Sequence, residues 1–439
     1  MTDEMLSIRA LPKFGNGIGL HRVSRFISEN SIDIGSVSDR SILVVGTNGK
    51  GSTSKYVAAG LAEGGRSVGH FSSPHLYAVY ERIAIDGEPI SPSDFRRIEQ
   101  SVMTFARKLA EGGDEMGEFE ALFLIALTYF VERDADAIAW EAGIGGRYDP
   151  TRVVRARIGI LTSIELEHTA ILGSTKELIA YDKLDGFPEG ARVVCGALDD
   201  PDLKDRIQSY AALRRLQNLL FVEDAIGIDH AEHSVAGTSF DTEDSGVVRR
   251  VNLAMAGRYQ ISNFNAALLA VKEFLSLSPN SERLDRIRDR MAAVTWPGRL
   301  EKIDLRYNIW IDVGHTPDAI EQTVAALDDM LDLATATLVF GISRGRDAAT
   351  LVDLVDGRFA SVIVAQANHK GAQAADIAEC FARTGGVSIE ADVERVVDRI
   401  RNVTERDEGR PVVVLGSLFL AVEFAHLWRG GNLEDLDFF

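Results

Sequence analysis

Residues Ile42 to Ser52 read ILVVGTNGKGS, and this run constrains the chain more than any other. Ile42 to Val45 are apolar and suit a buried strand. Gly46-Thr47-Asn48-Gly49-Lys50-Gly51-Ser52 predicts a tight glycine-rich turn, and Thr53 to Glu63 carries helical periodicity. Strand, glycine loop and helix in that order are the setting of a phosphate-binding loop. Glycines let backbone N–H groups turn inward, the helix N-terminus adds its positive dipole, and Lys50 supplies a point charge. Ser52 can offer a hydroxyl to a phosphate-bound magnesium ion. Gly51 separates the lysine from the serine, so the loop is not a strict Walker A motif. A glycine corner with no ligand is the alternative, and the lysine ahead of the serine favours nucleotide.

A chain of 439 residues suggests two or three domains. Its net charge of −19 argues against a surface that coats nucleic acid, while leaving room for a local basic pocket. Cys195 and Cys380 show no metal spacing and suit a reducing compartment. The opening MTDEMLSIRALPKF has no apolar core of a leader, and no apolar run reaches the length of a membrane span. The expectation is a cytoplasmic protein, monomer or dimer, with small-molecule partners, no nucleic acid and no membrane.

Along the chain, Leu20 to Ser28, Phe95 to Glu111, Glu118 to Arg133 and Thr175 to Lys183 predict helices, and Val68 to Phe71 and Arg157 to Ile164 predict strands. Ala135 to Trp140 is a further apolar strand that ends in Glu141. A carboxylate at the end of a buried strand, beside the phosphate loop of the same sheet, is where a magnesium ligand belongs. A carboxylate capping the glycine turn is the alternative. Val193 to Ala254 reads as short strands with an acidic loop from Asp229 to Ser245. Gly257 to Leu277 and Glu282 to Val294 are helical, and Pro297-Gly298 suits a hinge.

Beyond the hinge, strands at Trp310 to Val313, Thr337 to Gly341, Ser361 to Ala365 and Val412 to Gly416 alternate with helices. These helices are expected at Pro317 to Met330, Ala348 to Gly357, Gln373 to Arg383, Val393 to Asn402 and Ser417 to Trp428. The alternation predicts a mostly parallel sheet covered on both faces. Asp312 with His315, Ser343 with Arg344 and Arg346, and Ser417 fall at strand C-termini, where ligands bind in such sheets. Guanidinium groups clamp carboxylates, which suits Arg344 and Arg346; surface arginines beside Asp347 are the alternative. The expected fold class is α/β. A P-loop ATPase domain with a mostly parallel sheet would span 1–295, and a smaller C-terminal Rossmann-like α/β domain 296–439.

GTNGKGS resembles the ATP loop of the Mur ligase superfamily, in the spelling of folylpolyglutamate and dihydrofolate synthases. FGNGIGLHRV from Phe14, SSPHLYAVYERIAIDGEPIS from Ser72, EAGIGGRYDPTR from Glu141 and TSIELEHTAILG from Thr162 resemble that family's motifs in order. So do GRYQISNFNAA from Gly257, PGRLE from Pro297, IDVGHTP from Ile311, FGISRGRD from Phe340 and VVVLGSLFLAVE from Val412. Departures from the family pattern stand at Tyr80, Pro150, Arg152, Glu167, Ala170, Leu184, Asp185, Tyr259 and Thr316.

The resemblance implies ATP held by Thr47, Asn48, Gly49, Lys50, Gly51 and Ser52, with Asn263, Arg299 and Asp312. It implies Mg2+ on Ser52, Glu141 and His168, and catalytic roles for Lys50, His168 and Lys183. Lys183 matches a family lysine that carries a carbamate and so becomes a carboxylate-like metal ligand. An exposed helix-terminal lysine, with Asp185 supplying the carboxylate instead, is the alternative. Ser73, His75, Arg82, His315, Arg344, Arg346 and Ser417 are the implied substrate contacts. The implied activity is an ATP-dependent amide ligase of one-carbon metabolism. It would activate a carboxylate as acyl phosphate and join it to an amino acid, L-glutamate onto dihydropteroate or folate, releasing ADP and phosphate. A divergent paralogue that ligates another acid and amine, and a non-catalytic nucleotide-binding protein, are the alternatives. Retention of Lys50, Ser52, Glu141 and His168 favours catalysis.

Overall fold

The computed structural model describes residues 7–304 and 306–438. Residues 1–6, part of the stretch read for a leader, lie outside them. Among the described residues, eight strands form the first sheet: β1 (Ser41–Val45), β2 (Val68–Phe71), β3 (Ile83–Ile85), β4 (Glu88–Pro89), β5 (Ala137–Glu141), β6 (Ile158–Leu161), β7 (Arg192–Cys195) and β8 (Asn218–Phe221). Their order is β4-β3-β2-β5-β1-β6-β7-β8, with β2 and β5 to β8 parallel to β1 or to one another and the β3–β4 hairpin antiparallel at one edge.

Alternation along β1 explains both cores. Successive side chains of a strand point to opposite faces. Leu43 and Val45 therefore join Phe26, Phe95, Ile98 and Phe123 on one side, while Ile42 and Val44 join Tyr56, Val57, Phe264, Ile287 and Met291 on the other. Helices cover both faces, so every residue of β1 is buried. This sandwiching fixes where β1, β5 and β6 end, and their C-terminal ends carry the phosphate loop, Glu141 and the Thr162-Ser163 turn.

Two segments depart most from the sequence reading, and the helix expected over Gln373 to Arg383 is confined to Ala374–Ala378. Pro201–Leu213 is a helix, capped by the Asp200 side chain on the Leu203 N–H, with Leu203, Ile207 and Ala211 facing inward. The supposed loop from Asp229 to Ser245 is most of two strands, in an antiparallel sheet of β9 (Gly227–Ser234), β10 (Gly237–Asp244) and β11 (Val247–Leu253). Thr238, Phe240 and Thr242 of β10 turn inward, while Asp241 and Glu243 alternate with them toward solvent. Arg250 pairs there with Glu232 and Asp241. Most of this acidity is solvated, with Asp244 held instead by Lys272, and the Ser245-Gly246 turn has both residues at positive φ, as a two-residue hairpin turn requires.

A second sheet contains β12 (Glu301–Asp304), β13 (Ile309–Ile311), β14 (Thr337–Phe340), β15 (Ser361–Ala365), β16 (Val387–Glu390) and β17 (Val412–Leu415), ordered β12-β13-β17-β14-β15-β16. Only the β12–β13 pair is antiparallel. The half-exposed β12 and β16 escaped the apolar pattern. This sheet has its own cores, Leu338 and Phe340 facing one and Val339 the other. The two units meet through Arg258, whose guanidinium makes two 2.8 Å hydrogen bonds to Asp329, and through Arg429, which bonds Tyr77 and Glu301. Among the described residues, no helix is long and apolar enough to cross a membrane.

One buried cation anchors the opening segment. Arg22, without solvent exposure, forks onto Glu120 (Nε to Oε1 and Nη2 to Oε2, both 3.1 Å), bonds Asp114 and caps the Gly17 carbonyl. Arg22→Ala would strand the buried Glu120 carboxylate. The expected cost is about 3–5 kcal/mol in denaturant unfolding, because breaking a buried pair leaves an uncompensated charge. A loss within experimental error would show that the network contributes nothing to stability.

Candidate active site

The phosphate loop leaves β1 through Gly46 and enters a helix at Lys50, three residues earlier than periodicity suggests (Lys50–Leu61). Gly49 makes the early start possible. It adopts φ 83°, and a Cβ there would lie 2.3 Å from Asn263 Oδ1. A Cβ on Gly46 would come within 1.8 Å of Thr162 Oγ1. Lys50, Gly51 and Ser52 thus form the first helical turn, whose N–H groups have no carbonyl four residues back and can bind an anion.

Neighbouring strand ends brace the loop. Thr47 N–H donates to the Ser163 carbonyl (2.8 Å), Asn48 N–H to Ser163 Oγ (2.9 Å), and Thr162 Oγ1 to the Asn48 carbonyl (2.6 Å). Asn48 Nδ2 donates to Asp318 Oδ2 of the second unit (2.7 Å). Ser52 Oγ accepts from Gln260 Nε2 at 3.4 Å, and Gln260 Oε1 accepts from Asn263 Nδ2 at 3.2 Å.

Three charged groups converge from the first unit. Lys50 Nζ bends back to donate to the Gly46 and Thr47 carbonyls, both at 2.9 Å. Lys183 is fully buried, which removes the exposed-lysine alternative; its Nζ donates to the same Gly46 carbonyl (2.6 Å) and to Glu167 Oε1 (3.2 Å). Burial, reinforced by Lys50, lowers its pKa to about 8. Glu141 ends β5 opposite Val44, buried beside Gly51, and its Oε2 accepts the Ser73 N–H (3.0 Å). Burial pushes its carboxyl up to about 7 against the pull of Lys50, the Ser73 N–H, Arg299 and Arg82. Asp185 turns elsewhere, to Arg147, Arg214 and the Tyr210 hydroxyl.

His168 sits exposed at φ 46°, within electrostatic reach of Glu167, Lys50, Lys183 and Arg346. Among the described residues, no three His, Cys, Asp or Glu gather as a metal cage. Magnesium does not need one, since it commonly takes one or two carboxylates and keeps phosphate oxygens and water for the rest. Glu141 and Ser52, flanking Gly51, fit that demand; His168 stands with the lysines instead.

From the second unit, Asp312 is buried, its Oδ2 accepting the Leu300 N–H (2.8 Å) and its Oδ1 the Gly314 N–H (2.7 Å). It therefore pins the linker that carries Arg299. His315 bonds the Val313 carbonyl through Nδ1 (3.0 Å), and burial lowers its pKa. Ser417 Oγ lies 3.3 Å from Ser343 Oγ. Arg344 spends its Nε on the Gly371 carbonyl, whereas the exposed Arg346 influences both His168 and His315.

His75 and Arg82 are both buried and bond each other (Arg82 Nε to His75 Nδ1, 2.8 Å), and His75 Nε2 bonds the Asp437 carbonyl (2.5 Å). They form a clamp on the segment that carries Ser73. Tyr80 packs edge-on against Phe95. Sequence reading missed Asp318, Thr162 and Trp296, whose partners are distant in the chain, and Gln322, which reaches the site by bonding Asp318 one helical turn away.

One cavity adjoins the loop and a second lies beyond Ser73. One of about 430 Å³ lies between the units, lined by Asn48, Gly49, Ser52, Tyr259, Asn263, Arg299, Asp312 and Gln322. Another of about 460 Å³ is mostly apolar, lined by Phe14, Ile18, Phe119, Ile144, Tyr148 and Ile171, with Ser73 and Arg82 on its wall. A cavity of about 540 Å³ between Ser7–Arg9 and the Pro92–Glu111 helix includes none of the loop.

Residues 298–418 match the family described as Mur ligase, glutamate ligase domain. The folylpolyglutamate synthase of Lacticaseibacillus casei is 30% identical over 396 residues, covering 90% of this chain and 91% of that one. The chain belongs to the folylpolyglutamate synthase and dihydrofolate synthase family of the Mur ligase superfamily. Another relative, the dihydrofolate synthase/folylpolyglutamate synthase of Mycobacterium tuberculosis, is 29% identical over 386 residues, covering 83% of this chain and 77% of that one. A probable bifunctional folylpolyglutamate synthase/dihydropteroate synthase of Haloferax volcanii is 28% identical over 401 residues; this chain aligns over 88% of itself and spans about half of that protein, 46%. In three dimensions, the Mycobacterium tuberculosis folylpolyglutamate synthase complexed with ADP superposes with TM-score 0.84 at 25% identity, over 95% of this chain and 96% of that one. Folylpolyglutamate synthase from Thermotoga maritima gives 0.81 at 25% identity, over 96% of both chains. As a member of this family the chain is an ATP-dependent ligase.

Proposed function

We propose that this enzyme uses ATP to activate the carboxylate of dihydropteroate or a folate and joins it to the amine of L-glutamate, releasing ADP and phosphate. The observation that carries the reading is the convergence of Lys50, Lys183 and Glu141 on one phosphate loop, with Arg299 and Asp312 facing the same cleft from the other unit. The names of the relatives support the choice of acid.

A carboxylate is a poor acyl donor because oxide is a poor leaving group. Attack of its oxygen on the γ-phosphorus expels ADP and gives an acyl phosphate, from which the amine then displaces phosphate. Stabilising the charge that builds up in such transfers takes donors fixed in advance. Lys50 and the first-turn N–H groups would hold the terminal phosphates, with Thr47, Asn48 and Gly49 shaping the loop. Asn263 would lie against the nucleotide and Arg299 would reach its phosphates. Magnesium, held by Ser52 and Glu141 with His168 and a carbamate on Lys183 nearby, would neutralise phosphate charge. The apolar cavity beside Ser73 and Arg82 is large enough for a bicyclic ring. His75 would support that wall, and His315, Arg344, Arg346 and Ser417 of the second unit would dock the amino acid's carboxylates. The site would lie in the cytoplasm, where its substrates are small and soluble.

The test is ADP release by purified protein with ATP and magnesium, offered each acid with and without L-glutamate, and the product weighed by mass spectrometry. Sustained ADP release is expected only when acid and glutamate are both present, since the acid alone supports no more than the first, acyl-phosphate-forming step. ADP release restricted to another acid–amine pair would instead establish a paralogous ligase. Nucleotide binding without any turnover would establish a binding protein.

A further inference from the structure

Lys55 lies four residues after Gly51 in the loop helix, one turn on and along the same face, about 6 Å away. Gly51 faces the Glu141 carboxylate. Lys55 and Gly51 line a cavity of about 170 Å³ with Ser73, Glu141, Trp296 and Arg299, between the two units. Arg299 also lines the 430 Å³ cavity, so the small cavity is its neighbour.

Lys55 has no carboxylate partner and no hydrogen bond among the described residues, in a chain with 66 acidic side chains against 47 basic ones. Its Nζ stands over the Trp296 ring, 5.1 Å from the centroid. Indole attracts an ammonium group but does not neutralise it. Glu81, on the same cavity wall, is already spent on the N–H groups of Leu76, Tyr77 and Ala78. His70, nearby, bonds Ser54 and is held neutral by burial and by Lys55, so it offers no countercharge. Burial alone lowers the pKa of Lys55, as expected of a cation withdrawn from water without an acid beside it.

We propose that Lys55 sets specificity among acids: it binds the α-carboxylate of an acid that already ends in a glutamyl unit, while that unit's γ-carboxylate meets the phosphate loop. The inference rests on the function proposed above and adds which acids the site prefers. The two carboxyl carbons of a glutamyl unit are separated by three carbons, about 5 Å by standard bond lengths, comparable to the backbone spacing of Gly51 and Lys55, which line one cavity. Dihydropteroate has no second carboxylate at that distance. Lys55 therefore favours adding glutamate to an existing glutamate over making the first addition.

The test compares Lys55→Met and Lys55→Arg with the unmodified enzyme. Steady-state kinetics use dihydropteroate and tetrahydropteroyl monoglutamate, and thermal midpoints and binding of a non-hydrolysable ATP analogue confirm that each variant folds. For Lys55→Met, KM for the monoglutamate is expected to rise at least about tenfold relative to that for dihydropteroate, the effect of losing one charge-assisted hydrogen bond. The kcat for the monoglutamate should change less than its KM, and Lys55→Arg should restore most of the preference. An unchanged ratio between the two acids, or an equal loss on both, overturns the role of Lys55 and leaves the proposed function standing. If the unmodified enzyme ligates neither acid, the proposed function fails and this inference fails with it.

Discussion

Replacing Lys50 with alanine is expected to lower kcat by about a hundredfold to a thousandfold, with little change in thermal midpoint. Its ammonium is fixed over the loop, held by two carbonyls at 2.9 Å, and needs only a short swing to meet a phosphate. Removing a donor preorganised for developing charge costs about 3 kcal/mol in the transition state. The fold should tolerate the change, because the Gly46 carbonyl keeps its bond to Lys183. Lys50 also depresses the pKa of Lys183 and draws that of Glu141 down, so the variant's pH–rate profile should shift as well. Single-turnover ADP formation at saturating acid and amine is the measurement. Near-normal turnover would mean the loop does not handle the γ-phosphate.

Lys183→Ala is expected to be nearly inactive and to regain part of its activity with a small carboxylic acid at high concentration. The burial that would trap a bare cation makes this amine reactive. A pKa of about 8 leaves a substantial neutral fraction near neutrality, and the neutral nitrogen is what adds to carbon dioxide, losing a proton as the carbamate forms. Converting Lys183 to a carbamate would replace repulsion from Lys50 with attraction. Asp185 cannot take the role without breaking its pairs with Arg147 and Arg214, so Asp185→Ala should lower stability more than turnover. Full activity in Lys183→Ala alone would eliminate the carbamate reading. Density at the side chain is the direct readout, since carbamates break down in acid.

The first sheet and the loop were legible because period-two burial and a glycine corner are local properties. The start of the loop helix was not, because it depends on Gly49 accepting a left-handed conformation beside Asn263. Helical spacing of Leu203, Ile207 and Ala211 was present but was outweighed by the short apolar runs around it. The acidic hairpin strands looked like a loop because only one face of that sheet meets the core. Burial of Lys183 left no trace in its neighbours Leu184 and Asp185. The bond between Asn48 and Asp318 joins residues 270 apart, beyond the reach of any periodicity.

The Gly46 carbonyl accepts from both Lys50 and Lys183. Sharing makes it a relay point. Lys50 can depart toward a phosphate and Lys183 still satisfies the oxygen, as an ammonium or, once it carries a carbamate, through the N–H that its nitrogen keeps. If the Lys183 side chain were lost while Lys50 reached for a phosphate, the oxygen would be orphaned, at a cost of about 1–3 kcal/mol for a buried acceptor. Departure of Lys50 toward the nucleotide therefore depends on Lys183 staying in place, and truncating Lys183 would weaken nucleotide binding by that amount unless a third donor steps in.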